Sequence, residues 1–222
     1  AAAAEQLALN ALDAHATQVH LSADVPSRQL TLTDDGHGVD QHELPLLGAA
    51  YATSRAAAPA NATEDAFGRR GAALRALGSV SLLEIVSRAA APAGAQQLQT
   101  YSTLVERGSL VRTGLARGPR AVGTTVTVRD LFANRAVERK RLARAGAAGA
   151  EIVRLLGFFS RLAAANPQVS FRLHDASSGR TLLSTARGGG EGDIPRIMGR
   201  LLGGGVPLPL RMFVFDDVRS SV

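Results

Sequence analysis

E-Q-L-A-L-N-A-L-D-A-H-A-T-Q-V-H-L-S-A-D-V-P-S-R-Q-L-T-L-T-D-D-G-H-G, residues 5–38, decides the fold class. Its first third belongs to a run over residues 4–16 that is rich in Ala and Leu and free of breakers, which predicts a helix. Gln18–Val25 then alternates polar and apolar residues. Pro26–Ser27 turns the chain, and Gln29–Thr33 alternates again, so the pair predicts an antiparallel hairpin. The turn-rich D-D-G-H-G-V-D follows directly. A helix feeding a hairpin is not a Rossmann unit, which requires strand, G-x-G-x-x-G and helix in immediate succession.

Outward from that stretch, Gln41–Leu47 suits a short helix despite Pro45. Residues 55–66 show little pattern and predict a mobile loop. Gly71–Leu77 predicts a helix behind a glycine-rich turn. Strands are expected at Val80–Arg88, Gln97–Glu106 and Thr124–Val128, where β-branched residues suit a pleated surface. Residues 136–165 read as helix in two pieces, broken near Gly146–Gly149. Val169–His174 and Arg180–Thr185 form a second hairpin around Ser177–Gly179. A last helix, Ile194–Leu202, stops at Gly203–Gly205, and Leu210–Phe215 reads as the opening strand of a further unit. Hairpin-linked strands with helices covering one face make an α+β sandwich.

Composition narrows the function classes. With 45% apolar and 20% charged residues the 222-residue chain suits one sizeable core or two small ones. No apolar run approaches the roughly 18 residues that span a bilayer. The sequence opens without Met on Ala1–Ala4, inside the helical pattern, so the expectation is a piece of a longer protein with no leader in view. There is no cysteine, which excludes disulfides and thiolate metal sites. The five histidines form no H-E-x-x-H, so no zinc centre is expected. Net charge is +6, almost all of the cations being Arg. Guanidinium groups bind phosphate bidentately, although a biased composition would give the same excess.

Four segments carry candidate chemistry. On the first helix Gln6, Asn10 and Asp13 are spaced i, i+4, i+7 and share a face. Their oxygens could hold Mg²⁺ together with nucleotide phosphates, or simply face water. In D-D-G-H-G, Gly36 and Gly38 allow close backbone approach to a flat ligand, and Asp34 could accept from an adenine amine; such a segment also serves as a plain turn. Gly68–Arg69–Arg70–Gly71–Ala72–Ala73–Leu74 runs a flexible turn into a helix start, which offers backbone N–H groups to an anion. Gly123–Thr124–Thr125–Val126–Thr127–Val128–Arg129–Asp130–Leu131–Phe132 is a strand with a marked continuation.

The order and spacing of these segments resemble the GHKL ATPases, and within them the MutL branch of DNA mismatch-repair proteins. There the pieces read N-x-x-D-A, D-N-G-x-G, T-S-K, G-F-R-G-E-A-L and G-T-T-V-x-V-x-D-L-F. The last two separate MutL from its gyrase, chaperone and histidine-kinase relatives. The likeness runs from Glu5 to about Leu202, and E-Q-L-A-L-N-A-L-D-A-H-A looks most like the third eukaryotic homologue, the meiosis-associated subunit. It implies a GHKL (Bergerat) two-layer α+β sandwich of mixed sheet and helices over residues 1–209, with an ATP lid at 55–67. Residues 210–222 would begin a transducer domain.

The resemblance assigns roles residue by residue. Asn10 would coordinate Mg²⁺, and Asp34 would read adenine above a floor shaped by Gly36 and Gly38. Asp13 and Ala14 would line the adenine side, and Thr124 would support the base through water. Thr53 and Ser54 lead into the lid, with Arg55 in place of lysine. Gly68, Arg70, Gly71, Ala72, Ala73 and Leu74 would meet the phosphates, with Arg69 replacing an aromatic residue and Ala72 a glutamate.

The largest departure is Gln6, where the family keeps its general base. An amide cannot take a proton from water at neutral pH, although it can orient that water. Glu5 is a weak substitute, because one step along a helix turns a side chain by about 100°. The resemblance therefore implies ATP with Mg²⁺ as cofactors and slow hydrolysis at most, driving closure of a dimer on DNA. The competing reading is a hydrolysis-deficient, ATP-holding subunit whose partner hydrolyses. A third, another GHKL function such as a chaperone or topoisomerase, is disfavoured by the D-L-F continuation. Expected partners are another MutL-family subunit, double-stranded DNA and a MutS-type complex, in the nucleus and without a membrane. The cationic stretch Arg135–Arg144 suits DNA phosphates, or a solvated helix face.

Overall fold

The computed structural model describes residues 1–47, 70–91 and 99–187. The elements are α1 (Ala2–Asp13), β1 (Gln18–Asp24), β2 (Gln29–Asp34), a 3₁₀ turn (Leu44–Leu46), α2 (Arg70–Val80), β3 (Leu82–Arg88), β4 (Tyr101–Glu106), β5 (Ser109–Leu115), β6 (Gly123–Arg129), α3 (Ala136–Leu142), α4 (Ala147–Ala165), β7 (Ser170–Asp175) and β8 (Arg180–Ser184). Eight strands form one sheet in the order β5-β4-β3-β6-β2-β1-β7-β8. The β1–β7 pair is parallel, and the other neighbours run antiparallel. The expected mixed sheet with helices is present.

The sheet is two-faced because its strands alternate. Val19, Leu21 and Ala23 of β1, Leu32 of β2, Leu83 and Ile85 of β3, Val126 and Val128 of β6, and Phe171 and Leu173 of β7 are all buried. They point to one side, where α1, α2 and α4 pack across β1–β4, β7 and β8. Leu7, Ala8 and Ala11 of α1 and Leu155 and Phe159 of α4 complete that core. Phe159 meets Phe171 edge-on at 6.2 Å between ring centres, a favoured aromatic geometry. The opposite face carries His20 and Arg172, which are exposed, and Thr33, Thr125 and His174, which are half-buried. Burial lowers the pKa of His20, with the charges of Arg172 and His174 adding to the effect.

Several boundaries depart from the sequence reading, each for a local reason. The first helix stops at Asp13, not residue 16. His15 adopts φ 57°, with His15 N–H on the Leu12 carbonyl and Ala16 N–H on that of Ala11. That is a Schellman closure made without the usual glycine, so nothing in the composition announced it. Only Leu44–Leu46 of the segment 41–47 is helical, as a single 3₁₀ turn with Pro in its first turn. α2 runs on to Val80, and β3 therefore starts at Leu82. β5 had no counterpart in the sequence reading. It is an edge strand almost wholly exposed, so it lacks a buried stripe to mark it. A two-residue turn of Arg107 (φ 50°) and Gly108 (φ 80°) joins it to β4, the backbone geometry that tight hairpins favour. The break near Gly146–Gly149 falls between α3 and α4, and the second hairpin is β7–β8. The loop at 55–66, the last helix, the final strand and the domain boundary near 209 lie outside the described residues.

Candidate functional site

Asp34 is the last residue of β2, and the strand's alternation turns it toward the helical layer beside Leu32. Its side chain is buried. Oδ1 accepts the Gly36 N–H at 3.0 Å and the Thr124 N–H at 3.3 Å. Burial pushes its pKa above the ordinary carboxylate value, against the pull of those two N–H groups and of the Arg120 charge. Asp35 does different work. Its carboxylate takes the Thr17 and Gln18 N–H groups, both at 2.7 Å, and the Thr17 hydroxyl at 2.6 Å. These bonds outweigh partial desolvation and lower its pKa. Asp35 thus ties the turn to the start of β1 and leaves Asp34 as the carboxylate facing inward.

The two glycines of this turn are required by contact. A Cβ on Gly36 would lie 2.7 Å from the Ala14 carbonyl oxygen, and the next residue donates its N–H to that same oxygen at 3.0 Å. The turn is therefore seated directly on the C-terminus of α1. On its far side Val39 N–H binds the Ser87 hydroxyl at 2.9 Å. Ser87, fully buried in β3, also reaches the Gly123 carbonyl and Thr124 Oγ1, each at 3.0 Å. Arg120 supports the turn from behind, donating to the carbonyls of Val86 at 2.8 Å and Asp34 at 3.0 Å.

A cleft of about 710 Å³ including its open mouth lies above this turn. Leu7, Asn10 and Ala11 of α1 and Ala14 just beyond its end line one wall, and Leu74 of α2 another. Leu32, Ile85 and Val126 form an apolar floor, with Asp34, Thr124 and Gly38 at one end. Flat apolar walls with a few placed polar atoms suit an aromatic ligand. Both polar atoms of the Asn10 side chain are buried without a hydrogen-bond partner among the described residues. Buried amides are ordinarily satisfied, so Asn10 is arranged for a partner outside the described residues. Its Oδ1 is a hard oxygen donor of the kind Mg²⁺ takes beside phosphate oxygens, and the residues present fit that ion.

Of the residues singled out in the sequence, Asn10, Ala14, Asp34, Gly38, Leu74 and Thr124 share the cleft lining, with Gly36 packed on Ala14 beneath it. Asp13 is buried and outside that lining, as are exposed Gln6 and half-buried Glu5. Gln6 lies one turn before Asn10 on α1. Arg70, Gly71 and Ala72 form the first turn of α2, followed by Ala73. Thr53, Ser54 and Gly68 lie outside the described residues. Sequence reasoning missed Ser87, although it left a trace. Ser87 follows Leu83 and Ile85 at the inward positions of β3, and a hydroxyl there demands partners. Arg120 comes from an irregular segment and left no such signal.

The first 114 residues match the family model described as histidine kinase-, DNA gyrase B- and HSP90-like ATPase. The chain belongs to that family. Within it, the likeness is to MutL. The MutL mismatch-repair protein of Desulforudis audaxviator is 36% identical over 98% of this chain and 36% of its own length. The mismatch-repair protein MLH3 of Arabidopsis thaliana is 35% identical over 82% of the chain and 15% of its own. The chain thus spans about a third or less of these curated relatives. In fold it is similar to the Aquifex aeolicus MutL ATPase domain complexed with ADP, with TM-score 0.67 at 24% identity over 90% of this chain and 67% of the other. It is also similar to the N-terminal domain of a DNA repair protein, with TM-score 0.69 at 22% identity over 91% of this chain and 57% of the other. No helix among the described residues is long and apolar enough to cross a membrane.

Proposed function

We propose that the cleft binds ATP with Mg²⁺ and that this MutL-type domain uses nucleotide binding, with at most slow hydrolysis, to drive closure of a dimer on DNA. The observation that carries the reading is the unsatisfied Asn10 amide in the same cleft as Asp34 and Thr124. Asn10 would hold the ion, the Asp34 carboxylate would accept from the adenine amine, and Thr124 would support the base. Gly68 and the residues from Arg70 to Leu74 would meet the phosphates, with Thr53 and Ser54 leading into the lid. The ADP held by the similar Aquifex aeolicus domain supports this class of ligand. Bound Mg²⁺ supplies charge neutralisation of the phosphates.

Gln6 favours a second reading, a subunit that holds ATP while a partner hydrolyses it. Its amide has no basic lone pair to receive a proton. The partner would be another MutL-family subunit, the wider assembly a MutS-type complex, and the compartment the nucleus. Exposed basic residues on and around α3 (Arg135, Arg139, Lys140, Arg141 and Arg144) suit DNA phosphates, and binding through them would weaken steeply with salt.

The experiment is titration of the protein with a non-hydrolysable ATP mimic, with and without Mg²⁺, alongside Asn10→Ala. Saturable binding that depends on Mg²⁺ in the wild type, and a Mg²⁺ effect lost in Asn10→Ala, is expected. Because the substitution removes an unpaired buried amide and installs a better helix former, the ligand-free variant should melt no lower than the wild type. A folded wild type with no affinity for the mimic overturns the proposal.

A further inference from the structure

We infer that Ser87 is a specificity-determining positioning residue: by accepting the Thr124 hydroxyl proton it keeps the base-facing end of the cleft an edge of acceptors, which selects a purine carrying an exocyclic amine over one carrying an exocyclic carbonyl. The inference rests on the nucleotide-binding reading above.

A serine hydroxyl has one proton and two lone pairs, and at Ser87 each has a partner. The Val39 N–H occupies one lone pair at 2.9 Å, and the proton goes to the Gly123 carbonyl oxygen at 3.0 Å. The second lone pair is left for Thr124 Oγ1, also 3.0 Å away. With Ser87 fully buried, water cannot alter that count. The Thr124 hydroxyl must then donate to Ser87, and Thr124 shows the cleft only lone pairs. Asp34 adds acceptors of its own, its Oδ1 already engaged by two backbone N–H groups. An amine, or a water bridging to a ring nitrogen, supplies the donors such an edge needs. A 6-oxo purine sets its oxygen against the carboxylate and leaves buried polar groups unmatched, which is how hydrogen-bonding sites reject near-isosteres. Without Ser87 the Thr124 hydroxyl is free to turn, and a carbonyl on the base can accept from it.

The test measures affinity of the chain for ATP and for inosine triphosphate, each with Mg²⁺, in the wild type, Ser87→Ala, Thr124→Val and the double variant. The wild type should prefer ATP. Ser87→Ala should narrow the preference by about tenfold, the equivalent of one hydrogen bond. In the Thr124→Val background the same substitution should leave the ratio unchanged. A role limited to holding Val39 would weaken both ligands alike, so an unaltered ratio in folded Ser87→Ala overturns the inference. So does a further change in the Thr124→Val background. If Ser87→Ala does not fold, Ser87→Cys keeps the shape with a weaker hydrogen-bonding group, and its ratio decides. Failure of the wild type to bind either nucleotide overturns the nucleotide reading and this inference with it, whereas ATP binding with a fixed ratio overturns the inference alone.

Discussion

Gly38 and Arg88 are pressed together so closely that a Cβ on Gly38 would come within 2.1 Å of the Arg88 carbonyl oxygen. The glycine also sits at φ 72°, where side chains are strained. This contact brings the turn after β2 against the end of β3 across β6, and the neighbouring bond from Ala90 N–H to the His37 carbonyl, 2.8 Å long, seals it. The base-facing end of the cleft is thus defined by backbone meeting backbone.

Gly38→Ala is therefore expected to cost far more than an ordinary surface change. The clash is with main chain, which cannot swing aside, so the turn must lift from β3. A loss of about 2–4 kcal/mol in unfolding free energy is expected, in line with strain and core disruption elsewhere. Chemical denaturation measures it. An unchanged midpoint would show that the turn has room the structure denies it. Nucleotide affinity should fall with it, because Gly38 lines the cleft.

Asp34→Asn separates stability from recognition. The amide oxygen can still accept from Gly36 and Thr124, while the buried charge is gone. Burial raises the Asp34 pKa in the folded state above its unfolded value. Its contribution to stability is then complete below the unfolded value and is lost as pH rises through the folded one. At neutral pH the ionised group is a cost, so Asp34→Asn should unfold at equal or higher denaturant than the wild type. The difference between the two proteins should vanish as the pH is lowered through that window. Adenine affinity should move the other way in the wild type. It should decline on acidification at a pH above that of a free carboxylate, since Oδ1 is engaged and the proton would occupy Oδ2, turning an acceptor into a donor. A variant that bound ATP as well as the wild type would remove Asp34 from base recognition.

How much of this could be read from the chain follows from how each residue is held. Asn10, Asp34, Gly36 and Gly38 were legible because local spacing places them, on one helix face and in one turn, whereas Thr124 was marked only by the resemblance. β1, β2 and β6 were legible because one face of each is buried and the other is not. Ser87, Arg120 and β5 were not. Ser87 and Arg120 act through partners more than 30 residues away, and β5 has no buried face. The early stop of α1 was hidden for a third reason, since His15 takes a left-handed conformation that composition does not favour. The lid, Gly68 and the segment beyond 187 lie outside the described residues, so their assignments rest on resemblance alone.

Gln6→Glu tests whether chemistry is absent for want of a base. Gln6 is exposed on α1, one turn ahead of Asn10, so a carboxylate there should cost little stability. The two side chains share a helix face, which puts a carboxylate near the phosphates that Asn10 would approach through its ion. General-base catalysis commonly contributes about 10²–10⁴-fold, and a single-turnover rise of at least about tenfold is expected with ATP affinity little changed. Glu5→Ala should leave the wild-type rate as it is, because Glu5 points about 100° away around the helix. Two results would count against this account. One is a folded Gln6→Glu protein that binds ATP yet hydrolyses it no faster than the wild type. The other is a wild-type rate that Gln6→Ala abolishes and Glu5→Ala preserves, which would make the amide itself sufficient.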